Sequence, residues 1–245
     1  MIYSGVTPPT ESTKVIKTED TSLGNSPFNA NRDKAEYVGY MYTLGQQHGT
    51  SKSSDIKTYL DNWYANYTNL NATGTKITDQ IFCNDRTAST SDVAYSTTNY
   101  TTLTNWASTG TGYFYGANGR VWNIPVSPDY KCPVADDKFT TTAANGNGKL
   151  TYPVGLITTD ELSFAGLPAE ETNNSFYLHT GANYWAGSPF RFADGYSAYE
   201  FFMGFNGYLN GDDVNDGYGA RGVVSLSSDA KLLGSGTYDD VYRVS

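Results

Sequence analysis

The chain is expected to fold as an α+β domain. Three observations predict this: apolar residues recur at helical spacing over 56–64, the stretch from Tyr184 onward has strand texture, and Asn206-Gly207 sits between two aromatic runs. Asn-Gly between apolar segments is a strong short-range hairpin signal, because both residues tolerate the positive φ that a two-residue turn needs.

In chain order, residues 1–35 are polar, carry Pro8, Pro9 and Pro27, and lack an apolar period. They are expected to form an extended N-terminal arm with one strand at Lys14-Val15-Ile16-Lys17. The organised part, a single domain over 36–245, starts with Glu36-Tyr37-Val38-Gly39-Tyr40-Met41-Tyr42, whose alternation of aromatic and small residues predicts a strand. Ser54 or Asp55 then caps a helix with Ile56, Tyr59, Leu60, Trp63 and Tyr64 on one face. The segment from Thr87 to Asn118 is rich in Ser, Thr, Gly and Tyr without a helical period, and is expected to be long loops with short strand pieces. Tyr152-Pro153-Val154-Gly155-Leu156-Ile157 predicts a buried strand or strand-like run. Thr158 or Thr159 caps a short helix ending at Gly166, with Asp160 and Glu161 placed where negative charge complements the helix dipole. Ser197–Met203, Tyr208-Leu209 and Arg221–Leu226 follow as strand segments.

Composition excludes several functions. A net charge of -9, with 16 Lys and Arg scattered along the chain, argues against nucleic acid, which needs a basic stripe. No run approaches the roughly 20 apolar residues of a membrane-spanning helix. Charged residues are only 17% while Thr, Ser, Asn and Gly abound, the texture of a secreted or cell-surface bacterial protein. The 21 Tyr, 11 Phe and 4 Trp suit half-buried sheets and recognition surfaces alike, since a tyrosine packs its ring while its hydroxyl stays wet. Cys83 and Cys132 lack the partners of a four-ligand zinc site and are expected to form a disulfide, the alternative being two buried thiols. The bond closes over 48 residues and stabilises by about 3 to 4 kcal/mol.

Tyr184-Trp185-Ala186-Gly187-Ser188-Pro189, then Asn206-Gly207-Tyr208-Leu209, then Tyr218-Gly219-Ala220-Arg221-Gly222-Val223-Val224-Ser225-Leu226 resemble the C-terminal block of a group of secreted gut-bacterial surface proteins, where the pattern runs YWTxSP, a DGYL-type turn and GVRPVISL. Some of those proteins carry a pilin-like leader. Tyr37–Tyr42, Leu60–Tyr64, Phe82–Arg86 and Tyr152–Glu161 resemble earlier parts of the same group, so the resemblance covers most of the chain beyond residue 36. The C-terminal block is similar, more distantly, to C-type-lectin-like domains in formylglycine-generating-enzyme relatives and in retroelement variable proteins. The resemblance implies a C-type-lectin-like fold with short helices, twisted antiparallel strands and long loops, and a binding face between its W-x-x-S and G-x-R strands. This chain departs from the pattern at Ala186-Gly187 and at Gly222, which replaces a proline.

Expected ligand contacts follow from this placement. They are Trp185, Phe190, Arg191, Phe192, Tyr196, Tyr199, Asp212, Asp213, Asn215 and Tyr218: aromatic faces and a guanidinium after a Ser-Pro turn, and a polar loop beyond them. Asp212, Asp213 and Asp216 are the carboxylates that could hold calcium, although Val214 breaks the EF-hand spacing. Arg221 is expected to form a structural salt bridge, and Asp85 and Arg86 to organise a loop. His48 and His179 have no evident nucleophile partner, and no nucleophile elbow or phosphate loop occurs. The expectation is therefore a non-enzymatic, adhesin-like domain binding a host or bacterial surface glycan or protein. A self-associating pilin-like or surface-layer subunit is the alternative, and a carbohydrate-active enzyme with two distant carboxylates comes third.

Overall fold

The computed structural model describes residues 1–2, 22–67, 76–89, 113–122, 125–167, 169, 171–193, 197–237, 240 and 242–244. The expected strand at 14–17, Tyr196 and most of the 87–118 segment lie outside these residues.

The elements run β1 (Asn25–Ser26), a 3₁₀ turn (Ala35–Val38), β2 (Met41–Tyr42), β3 (Lys52–Ser53), α1 (Asp55–Asn66), β4 (Ile77–Thr78), β5 (Phe82–Cys83), β6 (Tyr113–Phe114) and α2 (Gly116–Val121). After these come a second 3₁₀ turn (Ala135–Asp137), β7 (Lys138–Phe139), α3 (Thr159–Phe164), β8 (Tyr184–Ala193), β9 (Ser197–Met203), β10 (Leu209–Asp213), β11 (Tyr218–Gly219), β12 (Ser225–Leu226), β13 (Leu232–Leu233) and β14 (Arg243–Val244). The architecture is α+β. One six-stranded sheet runs β1-β11-β8-β9-β10, with β6 also pairing β8, and the remaining strands form two-stranded ribbons.

The sheet's central hairpin follows from residue chemistry. Gly207 at φ +76° makes the expected turn, and β10 returns antiparallel to β9 with Leu209 opposite Met203. β8 pairs with β9 from Tyr184↔Met203 to Ala193↔Ser197, with register shifts on either side of Pro189. Proline has no N–H to give the ladder, and such irregularities are where a strand tolerates it. The Ser-Pro turn expected here is therefore a bulged strand interior.

Alternation along β9 divides the core in two. Ala198 and Phe202 face a cluster with Trp185, Phe192, Phe28, Val38, Ile56, Leu60 and Phe139; Phe201 and Met203 face another with Phe190, Phe114, Val121, Leu162 and Phe176. The sheet is thus buried on both faces. Glu200, fully buried on β9, has no hydrogen-bond partner for either carboxyl oxygen among the described residues. Burial pushes its pKa well above the usual carboxylate range, against the partial opposition of the nearby Arg86 cation.

Both predicted helices form. The Ser54 hydroxyl accepts from Lys57 N–H and caps α1, and Ile56, Leu60 and Tyr64 are buried on its inner face. Thr158 and Glu161 make a reciprocal capping box on α3, and Gly166 follows its end at φ +95°. Four expectations change. Residues 22–35, grouped with the arm, belong to the fold: β1 pairs with β11, and Phe28 is fully buried. The strand expected at 36–42 begins as a 3₁₀ turn whose four residues are all buried, so the apparent alternation reflected burial on every side. The segment expected to lack helix ends in α2, disguised by Gly116 and Gly119. The fourth narrows rather than fails: of the buried strand or strand-like run expected at Tyr152–Ile157, the strand-like one forms, buried at Val154–Leu156 and joined to Val223 through a single bridge at Gly155.

Candidate functional site

The expected ligand residues separate into three groups. Trp185 is fully buried, its indole N–H donates to Ser26 O at 2.8 Å, and its ring packs on Phe28, Phe202 and Tyr218. Phe190 and Phe192 are buried in opposite cores. Ligand contact by Trp185, Phe190 and Phe192 is thereby replaced by packing. Arg191 lies 4.5 Å over the Tyr199 ring and 5.4 Å over Phe190, a cation on an aromatic pair at the sheet.

The third group lies at the end of β10. Tyr218 donates its hydroxyl to Asp212 Oδ2 at 2.5 Å, Asp213 pairs with Arg32, and Asn215 is exposed. Burial, reinforced by the Asp212 hydrogen bond, raises the Tyr218 pKa, and burial followed by the Asp212 and Asp213 charges raises that of Asp216. Among the described residues no three His, Cys, Asp or Glu side chains come together to hold a metal ion. The three carboxylates that could hold calcium, Asp212, Asp213 and Asp216, thus form no ligand cage, and Tyr218 and Arg32 engage the first two.

The residues assigned structural roles are buried. Arg86 donates Nε to Asp137 Oδ1 at 2.7 Å and Nη1 to the carbonyls of Met41 and Gly49. Asp137 also meets His48 Nδ1 at 2.8 Å, a partner 89 positions away that no local motif signals. Arg221 is buried, donates Nη1 to Leu178 O at 3.0 Å and sets its guanidinium 4.6 Å over the Tyr184 ring. Burial lifts the Tyr184 phenol to about 12 although Arg221 opposes the shift.

A roomier concavity than any of these positions offers lies between β5 and α3. It is a cleft of about 650 Å³ bounded by β5, the start of α3, Lys138 and the strip 129–133, and the Cys83–Cys132 disulfide lines it. Its floor is a charged lattice. Arg120 donates Nη1 to Asp85 Oδ2 at 2.9 Å, and Nε and Nη2 to the two Asp160 oxygens at 2.8 and 3.0 Å. Asp85 and Asp160 are both buried, so the fork matches its acceptors in a partly dry setting. Although burial opposes its charge, the Asp160 and Asp85 carboxylates hold Arg120 above its ordinary pKa.

At the rim, Tyr130 and Phe164 stack with ring centroids 4.3 Å apart and planes 19° apart. Tyr130 is 70% exposed and Phe164 48%, so the pair offers a flat aromatic face to solvent. The capping box that begins α3 positions both Asp160 and Phe164; the tether at Cys132 positions Tyr130. Sequence reasoning missed this site because its parts lie at 85, 120, 130, 160 and 164. One signal was present: Pro128 and Pro133 flank Tyr130 and Cys132, as befits an extended surface strip.

No family model matches the chain, and no curated protein or solved structure is detectably similar to it. The site must be judged on its own chemistry. The disulfide is a bond of oxidising surroundings, and among the described residues no helix is long and apolar enough to cross a membrane.

Proposed function

We propose that this chain is an extracellular, adhesin-like recognition domain with a C-type-lectin-like arrangement, and that it takes a surface glycan in the cleft between Tyr130 and Arg120. The carrying observation is the exposed Tyr130–Phe164 stack beside a fixed polar floor. A pyranose has an apolar C–H face that stacks on an aromatic ring, and a girdle of hydroxyls that both donate and accept. The cleft supplies carboxylates at Asp129 and Glu161 and a cation at Lys138, which has no acid within ion-pair distance among the described residues. Binding sites of this kind are concave and combine aromatic walls with a few placed polar groups.

The two acids of the cleft floor are held in ion pairs and hydrogen bonds. Both Asp160 oxygens accept from Arg120, and the Asp85 oxygens accept from Arg120 and Thr87. Neither is free to act as a glycosidase acid or nucleophile. Glycan-array binding of the purified chain, with calcium and then with chelator, tests the proposal. A defined hit that is indifferent to chelator and weakened about tenfold by Tyr130→Ala is expected, a loss in the range of one aromatic contact. A hit unaffected by Tyr130→Ala moves the site elsewhere, and a blank array on folded protein moves the ligand class to protein.

Self-association is the second reading. It is favoured by the ribbon of β13 and β14, where Leu232, Leu233 and Val244 are exposed together with Tyr242. Light scattering tests it: mass rising with concentration, and abolished by Leu232→Ser with Leu233→Ser, supports a structural subunit.

A further inference from the structure

We infer that the Cys83–Cys132 disulfide is a redox clamp on one wall of the cleft: its reduction loosens residues 125–133 and weakens ligand binding while both hydrophobic cores persist. The inference rests on the proposed binding cleft for its second half only.

The clamp follows from how little else holds the strip. Among residues 125–133 only Cys132 is buried, and Val126, Tyr130, Lys131 and Pro133 are exposed. Among the described residues its hydrogen bonds to the body are Ser127 N–H to Arg120 O at 2.8 Å and Asp129 N–H to Asp160 Oδ1 at 2.9 Å, and Tyr130 adds a solvent-exposed stack on Phe164. Few buried contacts and an exposed backbone are the marks of a segment that opens locally. The disulfide is therefore the strip's one buried tether to β5.

The chain beyond the strip does not depend on that tether. Phe82↔Phe139 and Cys83↔Lys138 pair β5 with β7 directly, and Asp137 is locked to Arg86 by a buried ion pair. Reduction would therefore free the wall that carries Asp129, Tyr130 and Lys131 without releasing the segment after it. The bond is also reachable, since both cysteines line the open cleft and Cys83 is only half-buried.

The step is thiol–disulfide exchange with a small dithiol. One reductant thiolate attacks a cysteine sulfur, the S–S bond breaks, and the second reductant thiol resolves the mixed disulfide. The protein gains two electrons and two protons as two thiols, and the reductant leaves as its cyclic disulfide. A wall that is ordered about a tenth of the time binds about tenfold more weakly, because apparent affinity scales with the competent fraction.

Hydrogen exchange read by mass spectrometry, with and without dithiothreitol, tests the clamp without any ligand. Faster exchange over 125–133 with α1, β8 and β9 still protected is expected, and the Cys83→Ser, Cys132→Ser double variant should match the reduced protein. Unchanged protection of the strip with both thiols shown free overturns the inference, as does loss of protection across β8 and β9. The glycan found on the array is then titrated against both redox forms. About tenfold weaker binding by the reduced form supports the coupling, and equal affinities despite faster exchange overturn it. A blank array defeats the proposed ligand but leaves the exchange result standing.

Discussion

Glu200 isolates what one buried acid does to a fold. Its carboxyl lies in the main core with no hydrogen-bond partner among the described residues, so burial favours the protonated form and raises its pKa. The folded chain then holds a proton that the unfolded chain releases above about pH 4.3. Stability is full below that pH and falls as pH rises towards the folded-state value. Urea melts between pH 5 and 8 should show this decline, and Glu200→Gln should flatten it. The opposite case is Asp137, which meets Arg86 in a fully buried pair. Asp137→Ala strands that guanidinium and should cost about 3 to 5 kcal/mol in the same melts. The sequence marked Asn84, Asp85 and Arg86 beside a cysteine as a polar cluster that needs partners, and Asp85 and Arg86 are buried against Arg120 and Asp137. The burial of Trp185, Phe190 and Phe192 was not legible, since an aromatic residue reads alike on a binding face and in a core.

At the scale of elements, caps were the most readable signals. Ser54 and Thr158 start α1 and α3 as their side-chain chemistry dictates. Thr158→Ala removes the hydroxyl half of the capping box, leaving the backbone N–H bond to Glu161, and should destabilise by about 1 kcal/mol; because α3 carries Asp160 and Phe164, it should also weaken the proposed glycan binding. Strand interiors were harder to read. The bulge around Pro189 places two shifts in one strand, which turned an expected loop into the sheet's longest member. Gly211 on β10 shows what the close packing there demands. A Cβ at that position would lie 1.9 Å from the Phe190 ring, so Gly211→Ala should force the ring aside and lower stability by about 1 to 3 kcal/mol in thermal melts. Alternation predicted which β9 residues share a face. It could not predict that both faces would be covered, because that depends on where α2 and α3 dock.

For the whole molecule, the α+β class and the disulfide were legible, while the cleft was not. Its floor joins residues 85, 120 and 160, and only the folded chain brings both carboxylates within 3 Å of the Arg120 guanidinium. Reduction should lower global stability by about 3 to 4 kcal/mol, read as a shift in urea midpoint, because the unfolded chain regains the freedom of a long loop. The bond has a mechanical side as well. A surface protein held at one end and loaded at the other feels tension along its backbone. The two cysteine Cα atoms, 49 positions apart in sequence, are separated by 5.9 Å. Pulling force crosses that short bridge and bypasses everything between, removing about 160 Å of contour from any stretching record. Asp85, Arg86, Arg120 and Tyr130 all lie in the bypassed segment. That half of the cleft thus sits off the covalent load path when the chain is pulled end to end, and the strands outside the loop bear the strain.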